Sequence, residues 1–155
     1  MGRRRNQRGM TLVELIVAAT ILSLLTTMAV PLARYKVRRD KERELTYALR
    51  TMRKAIDDYK DAALANKIQT KLGTDGYPES LDDLVKGVNL TSSADAKVIK
   101  FLRRIPVDPM TGTTDWGIRS TQDDPLSTSW GRQNVFEVYT KSTESARDGT
   151  LYSTW

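Results

Sequence analysis

The stretch of sequence that decides the fold covers residues 9–33 and reads GMTLVELIVAATILSLLTTMAVPLA. It holds one acid, Glu14, and the 19 residues between Glu14 and Arg34 carry no charge. As a helix rising about 1.5 Å per residue, they would be roughly 28 Å long, enough for a bilayer core of roughly 30 Å. A basic segment precedes the stretch and contains Arg3, Arg4, Arg5 and Arg8. The pattern predicts a membrane-spanning helix behind a short basic leader.

Glu14 and the length of the apolar run argue against an ordinary secretory signal. A signal peptide has an apolar region of about 7–15 residues with its cleavage site behind it. Here the run is longer, and the small residue that fits a cleavage site, Gly9, lies in front of it. A carboxylate in hydrocarbon costs a few kcal/mol unless it is paired, and a plain signal anchor gives no reason for one. Glu14 is therefore a candidate functional residue.

Residues 8–14, RGMTLVE, resemble the processing site of type IV pilin-like precursors, a family that contains type IV pilins and the pseudopilins of type II secretion. In that family a prepilin peptidase cuts after the glycine and methylates the new N-terminus. The resemblance implies cleavage between Gly9 and Met10, N-methylation of Met10, and Glu14 as the fifth residue of the mature chain. Pro31 falls where the family often has a proline.

The resemblance also implies assembly roles for Glu14 and Pro31. Family models pair the amine of the cleaved N-terminus, here Met10, with the acid of a neighbouring subunit, which would make Glu14 a register device. The alternative is that Glu14 reaches the headgroups and anchors the helix entrance. Pro31 removes the amide that would bond to Thr27, so it should kink or loosen the helix. It marks either a segment that melts in the filament or a tolerated membrane-helix proline.

Residues 34–66 are predicted to continue the same helix. Their apolar positions step by three and four residues, which is a helical stripe: Leu45, Leu49, Met52, Ile56, Tyr59 and Ala63. We expect the stripe to pack against a sheet, with a coiled-coil partner as the alternative. The predicted organisation is a cleaved leader (1–9), a transmembrane and filament-core helix (10–33), and a periplasmic pilin-like globular domain that includes the amphipathic half of the helix (34–155).

The predicted fold class is α+β, a type IV pilin-like fold in which a long N-terminal helix packs on a small antiparallel β-sheet. Short elements are predicted along the rest of the chain: a helix at 77–85 that ends before Gly87, a helical turn at 94–102, a structural turn at 105–112, strands at 116–119 and 135–140, and a final strand or extended tail at 150–155. The segments YPESLDDLV (77–85) and IPVDPMTG (105–112) resemble segments of major pseudopilins. We interpret Asp108, within the second, as part of a turn and not as a chemical group.

The composition excludes the commonest kinds of catalytic site. The 155 residues include no Cys and no His, which excludes Ser-His-Asp and Cys-His catalysis and His-ligated zinc. The net charge of +6 falls to about +2 without the four leader arginines, and no nucleic-acid motif is present. Composition does not exclude an enzyme, but it gives no support for one; we expect a protein that is not an enzyme and binds no nucleic acid.

Charge gives no clear orientation for the predicted span. One flank of the apolar run has the four leader arginines and the chain's own amine. The other flank has a second basic segment in which two acids, Asp40 and Glu42, offset six cations: Arg34, Lys36, Arg38, Arg39, Lys41 and Arg43. Positive charge should mark the cytoplasmic flank, but the two flanks are nearly balanced. The cytoplasmic leader and periplasmic C-terminal domain are implied by the resemblance, since the family's peptidase works on the cytoplasmic side.

The function that the resemblance implies is that of a major pseudopilin, a subunit that polymerises into the periplasmic pseudopilus of a type II secretion system in the bacterial inner membrane. The implied partners are identical subunits, minor pseudopilins, the inner-membrane assembly platform, the prepilin peptidase and the membrane itself. One alternative is a type IV pilin of a surface fibre for adhesion, motility or DNA uptake. A membrane-anchored periplasmic enzyme is the alternative from another class.

Many major pseudopilins bind Ca²⁺ in a C-terminal loop that corresponds to residues 141–149 of this chain. That segment holds two acids, Glu144 and Asp148, together with Lys141 and Arg147. Because Ca²⁺ takes six to eight oxygen ligands and favours more negative charge, the composition favours a metal-free turn. Glu144 and Asp148 are the candidate ligands if a metal binds, and no other cofactor is expected.

Overall fold

The computed structural model describes residues 9–91 and 97–155, and the predicted leader, apart from Gly9, lies outside them. The chain divides into two compact units, residues 1–40 and 41–155. A single helix, α1, runs from Leu12 to Leu64 and continues through Pro31. The other elements follow in chain order: α2 (Leu81–Lys86), β1 (Val88–Asn89), β2 (Val98–Ile99), β3 (Gly117–Arg119), β4 (Glu137–Tyr139) and a 3-10 helix (Tyr152–Thr154).

The core of the second unit is built on the predicted stripe of α1. Leu45, Leu49, Met52 and Ile56 are at most 2% exposed, and Tyr59 is also buried. They share one apolar cluster with residues of the other elements: Leu81, Leu84, Leu102, Trp116, Val135, Val138 and Tyr152. Three alanines of α1, Ala48, Ala55 and Ala62, complete the buried face. The stripe therefore forms the intramolecular core, as the periodicity predicted.

The strands pair into two small antiparallel sheets instead of the one predicted. β1 pairs with β2, with Val88 opposite Ile99, and β3 pairs with β4, with Ile118 opposite Val138. The strands predicted at 116–119 and 135–140 are confirmed at β3 and β4. The long N-terminal helix with small antiparallel sheets confirms the α+β class and is consistent with a type IV pilin-like fold.

Two predicted elements were wrong. The helical turn predicted at 94–102 is replaced by β2 in its described part, and residues 92–96 lie outside the described residues. Val98 approaches the backbone of Gly87 so closely that a Cβ there would lie 2.5 Å from Val98 Cγ1, which favours the extended pairing. The tail predicted as a strand or extended at 150–155 was wrong in part, since Leu151 forms a β-bridge with Ser145 but Tyr152–Thr154 form a 3-10 helix. There the Tyr152 and Trp155 rings meet edge to face, with centroids 5.0 Å apart.

The predicted short helix is confirmed as α2, and its ends follow local sequence rules. The Asp83 carboxylate accepts a hydrogen bond from the Ser80 N–H at 2.9 Å, which caps the first turn. Gly87 ends the helix at a φ of 89°, a left-handed conformation that favours glycine. α2 thereby turns the chain directly into β1.

Candidate processing and assembly site

The predicted cleavage point lies immediately in front of α1. Gly9 and Met10 are exposed and lie outside the helix, which begins at Leu12. Met10 is 66% exposed. A bond in irregular, exposed backbone can enter a peptidase cleft without first unwinding a helix.

Thr11 caps the entrance of the helix. Its carbonyl oxygen accepts a hydrogen bond from the Leu15 N–H at 3.1 Å, and its hydroxyl oxygen accepts one from the Glu14 N–H at 3.3 Å. This cap satisfies helix donors that have no intrahelical partner, and it fixes the start of α1. Glu14 stands in the first turn, where the helix dipole favours a negative charge, and its side chain is exposed.

Nothing inside the described protein explains why position 9 is a glycine. A Cβ built on Gly9 meets no atom within 4 Å, and its φ is not in the left-handed range. Gly117 is the opposite case, because a Cβ there would lie 2.3 Å from the Tyr139 ring.

The first unit exposes an apolar rod. Every described side chain from Thr11 to Asp40 is exposed. The rod is the part from Leu12 to Leu32, where ten large apolar side chains have 52–77% of their surface accessible: Leu12, Val13, Leu15, Ile16, Val17, Ile21, Leu22, Leu24, Leu25 and Leu32. By length and composition α1 can cross a membrane. Since water cannot solvate so much apolar surface without cost, this rod needs lipid or other apolar helices around it.

Hydroxyl groups in the rod are satisfied inside the helix. Thr20, Ser23 and Thr26 each donate a hydrogen bond of 2.8 Å to the carbonyl four residues earlier. Thr27 donates in the same way to the Ser23 carbonyl at 2.9 Å. These bonds make the hydroxyl side chains compatible with an apolar environment. At Pro31 the helix continues, but the carbonyl of Thr27 receives no amide donor from the proline.

Asp108, interpreted as part of a turn, is fully buried and holds that turn together. Its Oδ1 accepts a hydrogen bond from the Met110 N–H at 2.8 Å, and its Oδ2 accepts one from the Thr140 hydroxyl at 2.5 Å. The Thr140 oxygen in turn accepts the Ser142 N–H at 3.1 Å. Asp108 thus ties the turn to the chain just after β4. Sequence reasoning found the turn but missed Thr140, because 32 residues separate the partners.

A second long-range link was also missed. Arg53 of α1 donates from Nε to Glu137 Oε1 of β4 at 2.7 Å, and from a terminal guanidinium nitrogen to the Trp155 carbonyl at 2.7 Å. Both charged side chains are about one third exposed, so the pair contributes little energy but fixes where β4 and the final turn meet the helix. The only sequence signal for this link is the charge of Arg53 next to the apolar stripe of α1.

The two candidate calcium ligands, Glu144 and Asp148, lie in a hydrogen-bonded turn. Asp148 Oδ1 accepts hydrogen bonds from the Thr150 hydroxyl at 2.7 Å and the Thr150 N–H at 3.0 Å, and these hold the pKa of the Asp148 carboxyl below its usual value. Glu144 contributes its backbone to the same turn, since its carbonyl accepts the Tyr152 N–H at 3.1 Å. Within residues 9–91 and 97–155, no three acidic, His or Cys side chains cluster as a metal site would need.

A polar cleft of about 290 Å³ is lined by Tyr59, Lys71, Glu79 and Asp83 among others. Its charged side chains have structural partners: Lys71 forms a salt bridge with Glu79 at 3.1 Å, and Asp83 caps α2. Elsewhere the pKa of Asp123 is lowered because its carboxylate accepts backbone hydrogen bonds from Ser120 and Gly131. These acids stabilise turns and helix ends.

Comparison with known families supports the resemblance at the N-terminus. The model described as "Prokaryotic N-terminal methylation motif" matches residues 4–30. No curated protein and no solved structure matches this chain. The matched range contains Gly9, Met10 and Glu14 and most of the exposed apolar rod. The motif is that of type IV pilin-like precursors, and the α+β fold is consistent with that family.

Proposed function

We propose that the chain is a major pseudopilin, made as a precursor in the bacterial inner membrane, trimmed between Gly9 and Met10, N-methylated on Met10, and polymerised into a periplasmic pseudopilus that drives type II secretion. The observation that carries the proposal is the exposed bond after Gly9, in front of an apolar helix whose described side chains from Thr11 to Asp40 are all exposed. A Cβ built on Gly9 meets no described atom within 4 Å, which supports a role for this glycine in recognition by the peptidase and not in the fold.

The exposed rod supports a mechanism of polymerisation. In the membrane, lipid covers its apolar side chains, each of which would gain about 1.5–3 kcal/mol on leaving water. A subunit extracted from lipid keeps that benefit only if identical rods surround it. A bundle of α1 helices therefore becomes the core of the filament, while the second unit keeps its own buried core.

Glu14 and the new amine of Met10 supply the register in this mechanism. Cleavage creates a cation four positions before the acid, at the edge of an apolar environment. Each unpaired charge is costly there, so a subunit gains by pairing its charge with the opposite charge of a neighbour. The missing amide at Pro31 supports local melting of the helix when subunits pack.

Several features favour a pseudopilus over a surface pilus. The chain lacks the Cys pair of many pilins, and the segments at 77–85 and 105–112 resemble those of major pseudopilins. In the folded chain these segments form α2 and the turn around Asp108. The C-terminal turn lacks a calcium cluster, so within the pseudopilins the chain is proposed as a variant without that ion.

The proposal is tested by expressing the full chain with the prepilin peptidase and the secretion machinery. Gly9→Leu should leave the precursor uncut and abolish filaments, while the folded second unit unfolds at the same urea concentration as the wild type. Normal cleavage of the variant would contradict the recognition role of Gly9.

The cellular location of the filament separates the two subclasses. We expect secretion of folded substrates to fail when the chain is deleted, and the polymer to stay in the periplasm at natural expression. Surface fibres at that expression level, with secretion intact after deletion, would instead identify a type IV pilin.

A further inference from the structure

We propose that the helix segment 34–39 is a collar for anionic phospholipid headgroups at the leaflet where α1 leaves the membrane. The collar consists of four cations, Arg34, Lys36, Arg38 and Arg39, with Tyr35 between the first two. Its lipid partner is a headgroup with a phosphodiester and a net negative charge, such as phosphatidylglycerol. The inference rests on the membrane-spanning part of the proposed function and needs no polymerisation.

The position of the collar follows from the length of the apolar run. Nineteen uncharged residues separate Glu14 from Arg34, so a helix that places Glu14 near one interface brings Arg34 to the other. Arginine and lysine can lay their stems along the lipid while the charge reaches the headgroups. Tyr35, 48% exposed, is a residue type enriched at membrane–water interfaces.

The arrangement of the cations around the helix fits a lipid annulus better than a protein partner. At about 100° per residue, Arg34 and Arg38 lie on one side, while Lys36 and Arg39 lie roughly 150° away from them. All four side chains are exposed. A protein partner would contact one side, as the buried stripe at Leu45 and Leu49 does, whereas headgroups surround a helix on every side.

The collar also resolves a conflict in the charge pattern. Cations on the C-terminal side of the membrane span oppose transfer of that side across the membrane. They therefore weaken the orientation signal that the leader arginines give. A feature that breaks a local rule needs a compensating gain. On the cytoplasmic side of a membrane, clusters of four to eight cations beside a spanning helix bind anionic lipids. The same attraction to anionic headgroups at the opposite leaflet would supply that gain.

The test uses the full-length chain in detergent, titrated with phosphatidylglycerol and phosphatidylcholine together. Native mass spectrometry then gives the relative association constants of the two lipids. We expect the wild type to prefer phosphatidylglycerol, and the variant with Arg34→Gln, Lys36→Gln, Arg38→Gln and Arg39→Gln to lose at least about fivefold of that preference. An unchanged preference would overturn the collar. So would a variant that loses filaments while its lipid preference stays, because the cations would then serve contacts between subunits.

A matched control removes the same charge from the second unit, at four exposed positions: Lys67, Lys97, Lys100 and Arg103. Their replacement by Gln should leave the preference intact, and an equal loss would assign the effect to net charge and overturn the proposal. Leader arginines are present in every variant, so they cancel in the comparison. Release of the wild type from membranes by carbonate would contradict the spanning helix and the collar together. A membrane-integral chain that is never cut would contradict processing alone.

Discussion

The buried contact between Asp108 and Thr140 gives a sharp test of how the second unit is held together. In Thr140→Val the methyl replaces a hydroxyl that donates to Asp108 Oδ2 at 2.5 Å and accepts the Ser142 N–H at 3.1 Å. Both Asp108 and Thr140 are 0% exposed, so water cannot replace the lost partner of the carboxylate. Leaving such groups unpaired costs about 1–3 kcal/mol each, so we expect the free energy of unfolding to fall by about 2–4 kcal/mol.

Urea unfolding followed by tryptophan fluorescence measures this loss. Trp116 is a suitable reporter, since it is 3% exposed and its Nε1–H donates to the Pro106 carbonyl of the same turn at 2.9 Å. Thr140→Ser keeps the hydroxyl and should cost only about 1 kcal/mol for the lost methyl group. Thr114→Val makes the same change at an exposed position of the turn and should stay within about 0.5 kcal/mol of the wild type. If Thr140→Val costs no more than Thr114→Val, the structural role of Asp108 is refuted.

Glu14→Ala should be cut at the wild-type rate yet give few filaments, and an unchanged filament yield would count against its pairing role. Gly117→Ala puts a Cβ 2.3 Å from the Tyr139 ring, so it should lower the free energy of unfolding by about 1–3 kcal/mol; an unshifted urea midpoint would contradict that packing. Hydrogen bonds from Thr150 lower the pKa of Asp148. They therefore stabilise the folded state fully at pH values above the ordinary pKa of a carboxyl group, and this stabilisation is lost as the pH falls through the lowered pKa. In an NMR titration the Thr150 amide should report that low midpoint and Thr150→Val should raise the pKa of Asp148, whereas no change in the variant would exclude the contact.

Features fixed by neighbours in sequence were predictable. The stripe from Leu45 to Tyr59 follows helical periodicity, and the buried core confirms it. The ends of α2 follow the spacing of Ser80 and Asp83 and the position of Gly87. Each of these signals involves residues only a few positions apart, so it can be read from a single sequence.

Features that depend on distant partners were not predictable. β2 forms because Val98 and Ile99 pair with β1, and Val98 packs closely against Gly87. The local sequence also allowed a helical turn. The end of the chain follows aromatic contacts of Tyr152 and Trp155. Neither the pairing of β1 with β2 nor the ring contact produces a periodic pattern in the sequence.

At the candidate site the sequence alone supplied the motif, with Gly9, Met10 and Glu14 at their spacing. The structure added that a Cβ built on Gly9 meets no described atom within 4 Å, and that the described side chains from Thr11 to Asp40 are exposed. It also showed that the acids at 144 and 148 do not combine into a metal cluster among the described residues. Cleavage, methylation and the pairing of Glu14 remain predictions, because each involves a second molecule.

The most direct test of the account is the mass of the N-terminal peptide from the chain expressed with and without the prepilin peptidase. With the peptidase, we predict a mature chain that begins at Met10 and carries one methyl group on its amine. Without it, the leader through Gly9 should remain. An N-terminus that keeps its arginines in the presence of an active peptidase would contradict the central claim.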